Sequence, residues 1–272
     1  MTAAEAAAKV AARLGVRSTD PVILADGANV IVHLSPAPVV AKVAASTPAV
    51  RPDNVAWLQR ELDVVQFLAA RGVPVMAPSP EVPPVVHHGD GQMMSFWYYL
   101  SPVPGLPGEA TIGSMLRDLH AELRDYSAQL PFLAPLGDIP AFLARPQTRL
   151  TAGQAAALAA AYARLTAQLV PGQSLHGDAG PGNLMATDAG WVWHDFEDTC
   201  TGPVAWDLAA STASPRLDGP RILAAYGEDP PELEVCQQLR KLHLTVWYNL
   251  YAERLPDLAP RAAELLTLWP VP

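Results

Sequence analysis

Near residue 100 the chain changes its hydrophobic period, and that change limits the folds open to it. Before it, short β-branched runs alternate with turn residues: Val22-Ile23-Leu24, Val30-Ile31-Val32-His33-Leu34 and Val39-Val40-Ala41-Lys42-Val43. Three such runs in succession predict an antiparallel meander. Two further runs, 85–88 and 93–100, flank Gly89-Asp90-Gly91, and an Asp-Gly step favours a tight hairpin. Helices are expected over the first 15 residues, stopping near Gly15, and over about 54–70. In the second, Trp57, Leu58, Leu62, Val65 and Leu68 recur mostly at three- and four-residue spacing ahead of Gly72. The stretch 101–108 is crowded with proline and glycine and reads as a boundary. Beyond it helical patterns dominate, over 111–129, 151–169 and several segments of 203–268, broken by a loop-and-strand region at 173–202. The expectation is a strand-rich lobe at 1–100 and a larger helical lobe at 101–272.

Composition narrows the class of function. Half of the 272 residues are hydrophobic and 17% are charged, which is a globular balance with enough apolar matter for a core. The 28 prolines lie mostly between periodic segments, as loop stiffeners and helix boundaries. A formal net charge of -9 disfavours a phosphate backbone as partner, so nucleic acid is not expected, whereas a cationic small molecule would be attracted. The same charge also serves solubility alone. Cys200 and Cys236 belong to no CxxC pair, which fits a reducing cytoplasm better than a disulfide framework. The alanine-rich start is interrupted by Glu5, Lys9 and Arg13, unlike a signal peptide, and no apolar run approaches the roughly 20 residues of a membrane span.

The chemistry is concentrated late in the chain. His176-Gly177-Asp178 is followed by Asn183, and Trp193-His194-Asp195-Phe196-Glu197 comes shortly after. Between them a short hairpin around Asp188-Ala189-Gly190 is expected to bring Asn183 and Asp195 to the same end of a strand pair. Phosphoryl transfer needs such a set: one carboxylate to orient a hydroxyl and take its proton, and an amide oxygen with a second carboxylate to hold magnesium. The interval Asp178-x-x-x-x-Asn183 matches the H-R-D-x-x-x-x-N catalytic loop of protein kinases, and Asp195-Phe196-Glu197 takes the place of D-F-G.

These residues, with Gly202-Pro203-Val204-Ala205-Trp206-Asp207-Leu208-Ala209, resemble the aminoglycoside phosphotransferase and choline kinase family. That family carries H-G-D-x-x-x-x-N, an I-D-F-type metal strand and G-P-x-x-x-D-L-A in this order. The resemblance implies an α+β, bilobal protein-kinase-like fold, with a small antiparallel-sheet N-lobe and a larger, mainly helical C-lobe. It implies Asp178 as catalytic base, Asn183 and Asp195 as magnesium ligands and Asp207 as a brace for the loop. In the first lobe Lys42 resembles the lysine that meets the α- and β-phosphates, with Glu61 as its ion-pair partner. Gly27 and Asn29 would lie at the phosphate turn, and Trp97, Tyr98 and Tyr99 at the hinge against the adenine. The implied donor is ATP with Mg, GTP being the alternative, and the acceptor is a small molecule such as an aminoglycoside or an amino alcohol. Two departures stand out: the turn 26–29 has a single glycine, and Glu197 replaces the glycine of D-F-G.

His176 has the chemistry of a general base, but a role in holding the loop is the preferred reading. Glu109, Asp118, Glu122, Asp125 and Glu253 are carboxylates that would meet a cationic acceptor, although helix surfaces carry such residues anyway. A second His-Gly-Asp at 88–90 has Ser95 where the asparagine is required and reads as a hairpin turn. Two rival functions remain open. One is a metal-dependent hydrolase using His176, Asp178, His194 and Asp195, which leaves Lys42 unexplained. The other is a pseudokinase that binds nucleotide without turnover.

Overall fold

Thr2 opens the first helix with a capping box: its hydroxyl accepts the Glu5 N–H at 3.2 Å, and the Glu5 carboxylate accepts the Thr2 N–H at 2.8 Å. The structure, a computed structural model, describes residues 1–146 and 148–271. In chain order its elements begin with α1 (Ala3–Arg13), β1 (Ser18–Asp26), β2 (Asn29–Pro36), β3 (Val39–Ala44), α2 (Asn54–Ala70), β4 (His87–Gly89) and β5 (Gln92–Tyr98). There follow α3 (Glu109–Leu123), α4 (Asp138–Leu143), α5 (Ala152–Thr166), β6 (Gln173–Leu175), β7 (Leu184–Thr187), β8 (Gly190–Trp193) and β9 (Cys200–Gly202). The chain ends with α6 (Ala205–Ser211), α7 (Gly219–Tyr226), α8 (Leu233–Arg254) and α9 (Ala259–Leu266).

The chain divides into two compact units. The first is Met1–Leu106 with Gly182–Glu197, and the second is Pro107–Pro181 with Asp198–Pro272. The segment 182–197, from beyond the expected boundary at 100/101, is grouped with the first unit. The hairpin β7–β8 returns to the first unit, where the Trp193 N–H donates to Pro74 and the Met76 N–H to Trp193, both at 2.9 Å. The division also runs through the His-Gly-Asp-x-x-x-x-Asn segment, leaving Asp178 in the second unit and Asn183 in the first.

The first unit is built on an antiparallel sheet in the order β1-β2-β3-β5-β4. The expected meander and the 87–98 hairpin are both present, the latter turning at Asp90 with φ 51°. Alternation along the strands sends Val30, Val32, Ala41, Val43, Met94 and Phe96 into a core shared with Ala6, Ala7, Val10 and Ala11 of α1. Lys42 points to the opposite sheet face, opposite Ile31 on β2 and Ser95 on β5. Helix α2 covers the expected residues. Its buried stripe of Leu58, Leu62, Val65 and Leu68 includes Glu61, which enters the interior because it sits three residues after Leu58. The second His-Gly-Asp has a structural setting: Asp90 pairs with Lys9 at 2.9 Å and the His88 carbonyl accepts from Arg13 at 3.1 Å.

The second unit is helical. The helix expected over 111–129 is α3, which runs Glu109–Leu123, with the Arg124 N–H still bonded to the His120 carbonyl at 3.3 Å. Helix α8 supplies the longest apolar face, with Leu239, Leu242, Val246 and Leu250 buried. Short strands β6 and β9 pair antiparallel and set the loop 176–181 beside the start of α6. Among the described residues no helix is long and apolar enough to cross a membrane.

Candidate functional site

In the first unit, Lys42 lies at the centre of a buried charge cluster. Its ammonium lies 3.0 and 2.8 Å from the two oxygens of Glu61, 2.5 Å from Asp195 Oδ1 and 3.0 Å from Glu197 Oε2. Arg51 joins from the segment ahead of α2, its guanidinium 2.9 Å from Glu197 Oε1. Burial alone would push the Lys42 ammonium down, but Asp195, Glu61 and Glu197 outweigh it and hold its pKa well above the usual lysine value. Three carboxylates thus face two cations. Burial pushes the Glu61 carboxyl up to about 8 against the pull of Lys42, and the neighbouring Asp195 and Glu197 add to the rise.

The hairpin β7–β8 does what its spacing suggested. Leu184 pairs with Trp193, and the His194 N–H donates to the Asn183 carbonyl at 3.0 Å, so Asn183 and Asp195 stand at one end of the strand pair. Asp195 adopts φ 63°, a left-handed conformation that an L-residue rarely takes outside turns and functional sites. Its side chain is 45% exposed, while the neighbouring Phe196 and Glu197 are buried. Ligand oxygens of Glu61, Asp195 and Glu197 lie within 4.8 Å of one another. The Lys42 ammonium already sits among the three, and Asp195 is the one of them that is not buried, so its carboxylate is the one that suits a hard divalent cation such as magnesium. Neither His176 nor His194 is in that group.

The remaining first-unit candidates are placed as follows. Gly27 caps the turn with its N–H on the Asn29 carbonyl, and a side chain there would meet nothing within 4 Å. Asn29 is buried and directs its amide to Glu197 at 2.6 Å, away from the backbone of its own turn. Trp97 is a core residue, its indole N–H on Ser95 Oγ at 2.9 Å. Tyr98 is exposed, and Tyr99 stacks on His33 with ring centroids 3.8 Å apart and planes 4° from parallel.

In the second unit, the loop around Asp178 is held by Asp207. The buried carboxylate accepts the His176 and Gly177 N–H groups, each at 2.9 Å, and His120 Nε2 at 3.0 Å. His120 Nδ1 then meets the Tyr226 hydroxyl at 2.9 Å. Burial would raise the pKa of Asp207, but the His120 bond and the charges of His120, His176 and Arg240 bring it below the usual aspartate value. Gly177 has φ 89°, and a Cβ there would lie 1.9 Å from the Asp198 carbonyl oxygen, so the middle of His-Gly-Asp admits glycine alone. Its own carbonyl accepts Trp206 Nε1 at 2.7 Å and Arg240 at 3.1 Å. His176 is fully buried, with Nδ1 3.3 Å from the Asp178 N–H.

Arg240, on α8, also pairs with the Asp178 carboxylate and lies over the Trp206 ring at 4.8 Å. Burial opposes its charge, and Asp178, Asp198 and Asp207 reverse that and raise its pKa. Sequence reasoning passed over Arg51, His120, Tyr226 and Arg240. Only His120 carried a local signal, a polar residue on the stripe of Ile112, Leu116, Leu119 and Leu123. Of the carboxylates considered for a cationic acceptor, Glu109 accepts the Asp218 N–H, Asp118 pairs with Arg117, and Glu253 forms a two-pronged bridge to Arg145 at 2.8 and 2.7 Å.

Residues 21–239 match the phosphotransferase enzyme family. The chain belongs to that family. Comparison with curated proteins by sequence finds no match. Among solved structures, this phosphotransferase-family chain is similar to choline kinase LicA from Streptococcus pneumoniae, at 15% identity and TM-score 0.66 over 97% of this chain and 99% of that one. It is similar to amicoumacin kinase hAmiN in complex with AMP-PNP, Ca2+ and Ami, at 13% identity and TM-score 0.66 over 92% and 89%. It is also similar to the GDP and kanamycin complex of APH(2")-IIia, at 16% identity and TM-score 0.64 over 95% and 96%. These likenesses establish the kinase-like fold expected from the sequence.

Proposed function

We propose that the protein transfers the γ-phosphoryl group of Mg-ATP to a hydroxyl of a small acceptor. The observation that carries this reading is the Lys42 cluster, in which one buried ammonium joins Glu61 of α2 to Asp195 at the end of the β7–β8 hairpin. A buried ion pair is expensive to build and weak as a source of stability, so its presence calls for another reason. Phosphate binding supplies one. Lys42 would meet the α- and β-phosphates while Glu61 keeps it aimed, and Asn183 and Asp195 would hold magnesium. Once bound, the metal would neutralise charge on the phosphate oxygens.

Asp178 would orient the acceptor hydroxyl and take its proton as the acceptor oxygen bonds to the γ-phosphorus. The bond from that phosphorus to the bridging oxygen breaks, and ADP leaves with the electron pair. Positioning and charge neutralisation carry most of the rate. Asp207 and His176 would keep the loop in shape. The acceptor we favour is an amino alcohol or an aminoglycoside-like polyol, supported by the acidic net charge and by the substrates named for the choline kinase and for the kanamycin complex.

The test is transfer itself. Labelled γ-phosphate from ATP, incubated with panels of amino alcohols, aminoglycosides and sugars, should appear on one class of acceptor and should fail to appear with Asp178→Asn. Nucleotide binding without label on any acceptor would favour the pseudokinase instead.

A further inference from the structure

Glu197 occupies the position of the D-F-G glycine, and the chemistry above gives it no task. Its side chain is 5% exposed, and it draws donors from three separate stretches of the first unit. Asn29 Nδ2 lies 2.6 Å and Lys42 Nζ 3.0 Å from Oε2, while Arg51 Nη1 lies 2.9 Å from Oε1. Asn29 closes the turn 26–29, Lys42 lies in β3, and Arg51 leads into α2 with its guanidinium 3.7 Å from the centroid of the Trp57 ring.

The other end of the Asn29 amide sharpens the point. Its Oδ1 is buried and has no hydrogen-bond partner. Burying an acceptor without a donor is costly, so the amide is not there to satisfy itself. The charge-assisted bond from Nδ2 to Glu197 holds it in place. Rotating the amide would set two oxygens against each other, so its orientation is fixed by the carboxylate.

We propose that Glu197 is a positioning residue of the nucleotide site. It draws the turn 26–29 and the segment ahead of α2 onto Lys42, so that the site is assembled before a nucleotide arrives. It acts through Asn29, Lys42 and Arg51 and touches neither nucleotide nor metal. The proposal rests on the phosphotransferase reading. A site ordered in advance spares the bound state the cost of ordering it, and so tightens binding.

The test is ADP binding by calorimetry, with GDP in parallel, without magnesium and then with it. The proteins are the native chain, Glu197→Gln, Arg51→Gln, the double variant and Asn29→Ala, all held at a temperature where each is folded. Glu197→Gln and Arg51→Gln should each weaken magnesium-free binding about tenfold, and the double variant should be no worse than the weaker single one, because both changes undo one clamp. Asn29→Ala, which removes a single donor, should weaken binding less, in the same direction. Arg51→Lys, which keeps the charge, should recover part of the loss.

Unchanged affinity with a lowered melting temperature would overturn the proposal and leave Glu197 a structural residue. Unchanged magnesium-free binding with a raised magnesium requirement would overturn it in favour of a metal ligand, and additive losses would deny the shared clamp. A native chain that binds neither ADP nor GDP would instead sink the phosphotransferase reading, and this proposal with it.

Discussion

The Lys42 ammonium and the Glu61 carboxylate are both all but excluded from water, 6% and 2% exposed, and lie 2.8 Å apart. Removing the lysine leaves buried carboxylates without their cation. Lys42→Met should therefore destabilise the protein by about 3–5 kcal/mol, less whatever protonation of Glu61 relieves. Chemical denaturation measures that loss. Nucleotide affinity, read in the same protein below its unfolding transition, should fall with it. Arg145→Ala breaks a partly exposed pair with Glu253 and should cost only about 0–1 kcal/mol.

Asp207 ties the loop 176–181 to α6 and α3. Asp207→Asn keeps the shape but loses a charge that accepts three donors, and should cost on the order of 3 kcal/mol. The pH dependence has a definite sign. The folded pKa of Asp207 lies below its ordinary value of 3.8, so its contribution is present above that pH and is lost as pH falls through the folded value. Stability of the native chain followed below pH 4 should therefore decline more steeply than that of Asp207→Asn.

Gly177 and Gly180 stand in the same loop with different demands. Alanine at 177 must take φ 89° and meet the Asp198 carbonyl, whereas at 180 the nearest atom is 4.0 Å away. Gly177→Ala should cost more than about 2 kcal/mol and disable turnover, and Gly180→Ala should stay within about 1 kcal/mol. Thermal unfolding of the two variants side by side checks the contrast.

Neither cysteine should react in the folded chain. Cys200 and Cys236 are buried, and burial pushes the Cys236 thiol up to about 12, with Glu232 adding to the rise. A chromogenic disulfide reagent at pH 8 should label both thiols only on unfolding, at the rate of unfolding.

Much of this was legible because it is local. The bounds of α2, the meander and the hairpin β7–β8 follow from periodicity and turn chemistry carried within a few residues. The His-Gly-Asp loop was legible as a motif, and Gly177 shows why: its φ and its contact with Asp198 leave one residue type. Arg51 and Arg240 were not legible. Arg51 meets Glu197 across 146 positions of sequence, and Arg240 meets Asp178 across 62, from a long helix whose periodicity does not say which charge turns inward. The role expected of Asn29 came from its turn, and the carboxylate that captures its amide lies 168 residues away. Nor does any local signal say that 182–197 groups with the first unit.

Arg240 also yields a check on the second unit. It holds the Gly177 carbonyl and the Asp178 carboxylate together, so Arg240→Met should lower turnover while leaving nucleotide affinity near the native value. Added guanidinium should restore part of the rate, which loss of packing alone would not permit.

The most direct measurement is a paired one on Asp178→Asn: nucleotide affinity by calorimetry, and acceptor-stimulated ADP release under saturating Mg-ATP. If Asp178 is the base, affinity stays near that of the native chain and turnover falls by roughly 10²–10⁴-fold. Turnover close to native in this variant, with nucleotide still bound, would contradict the account at its centre.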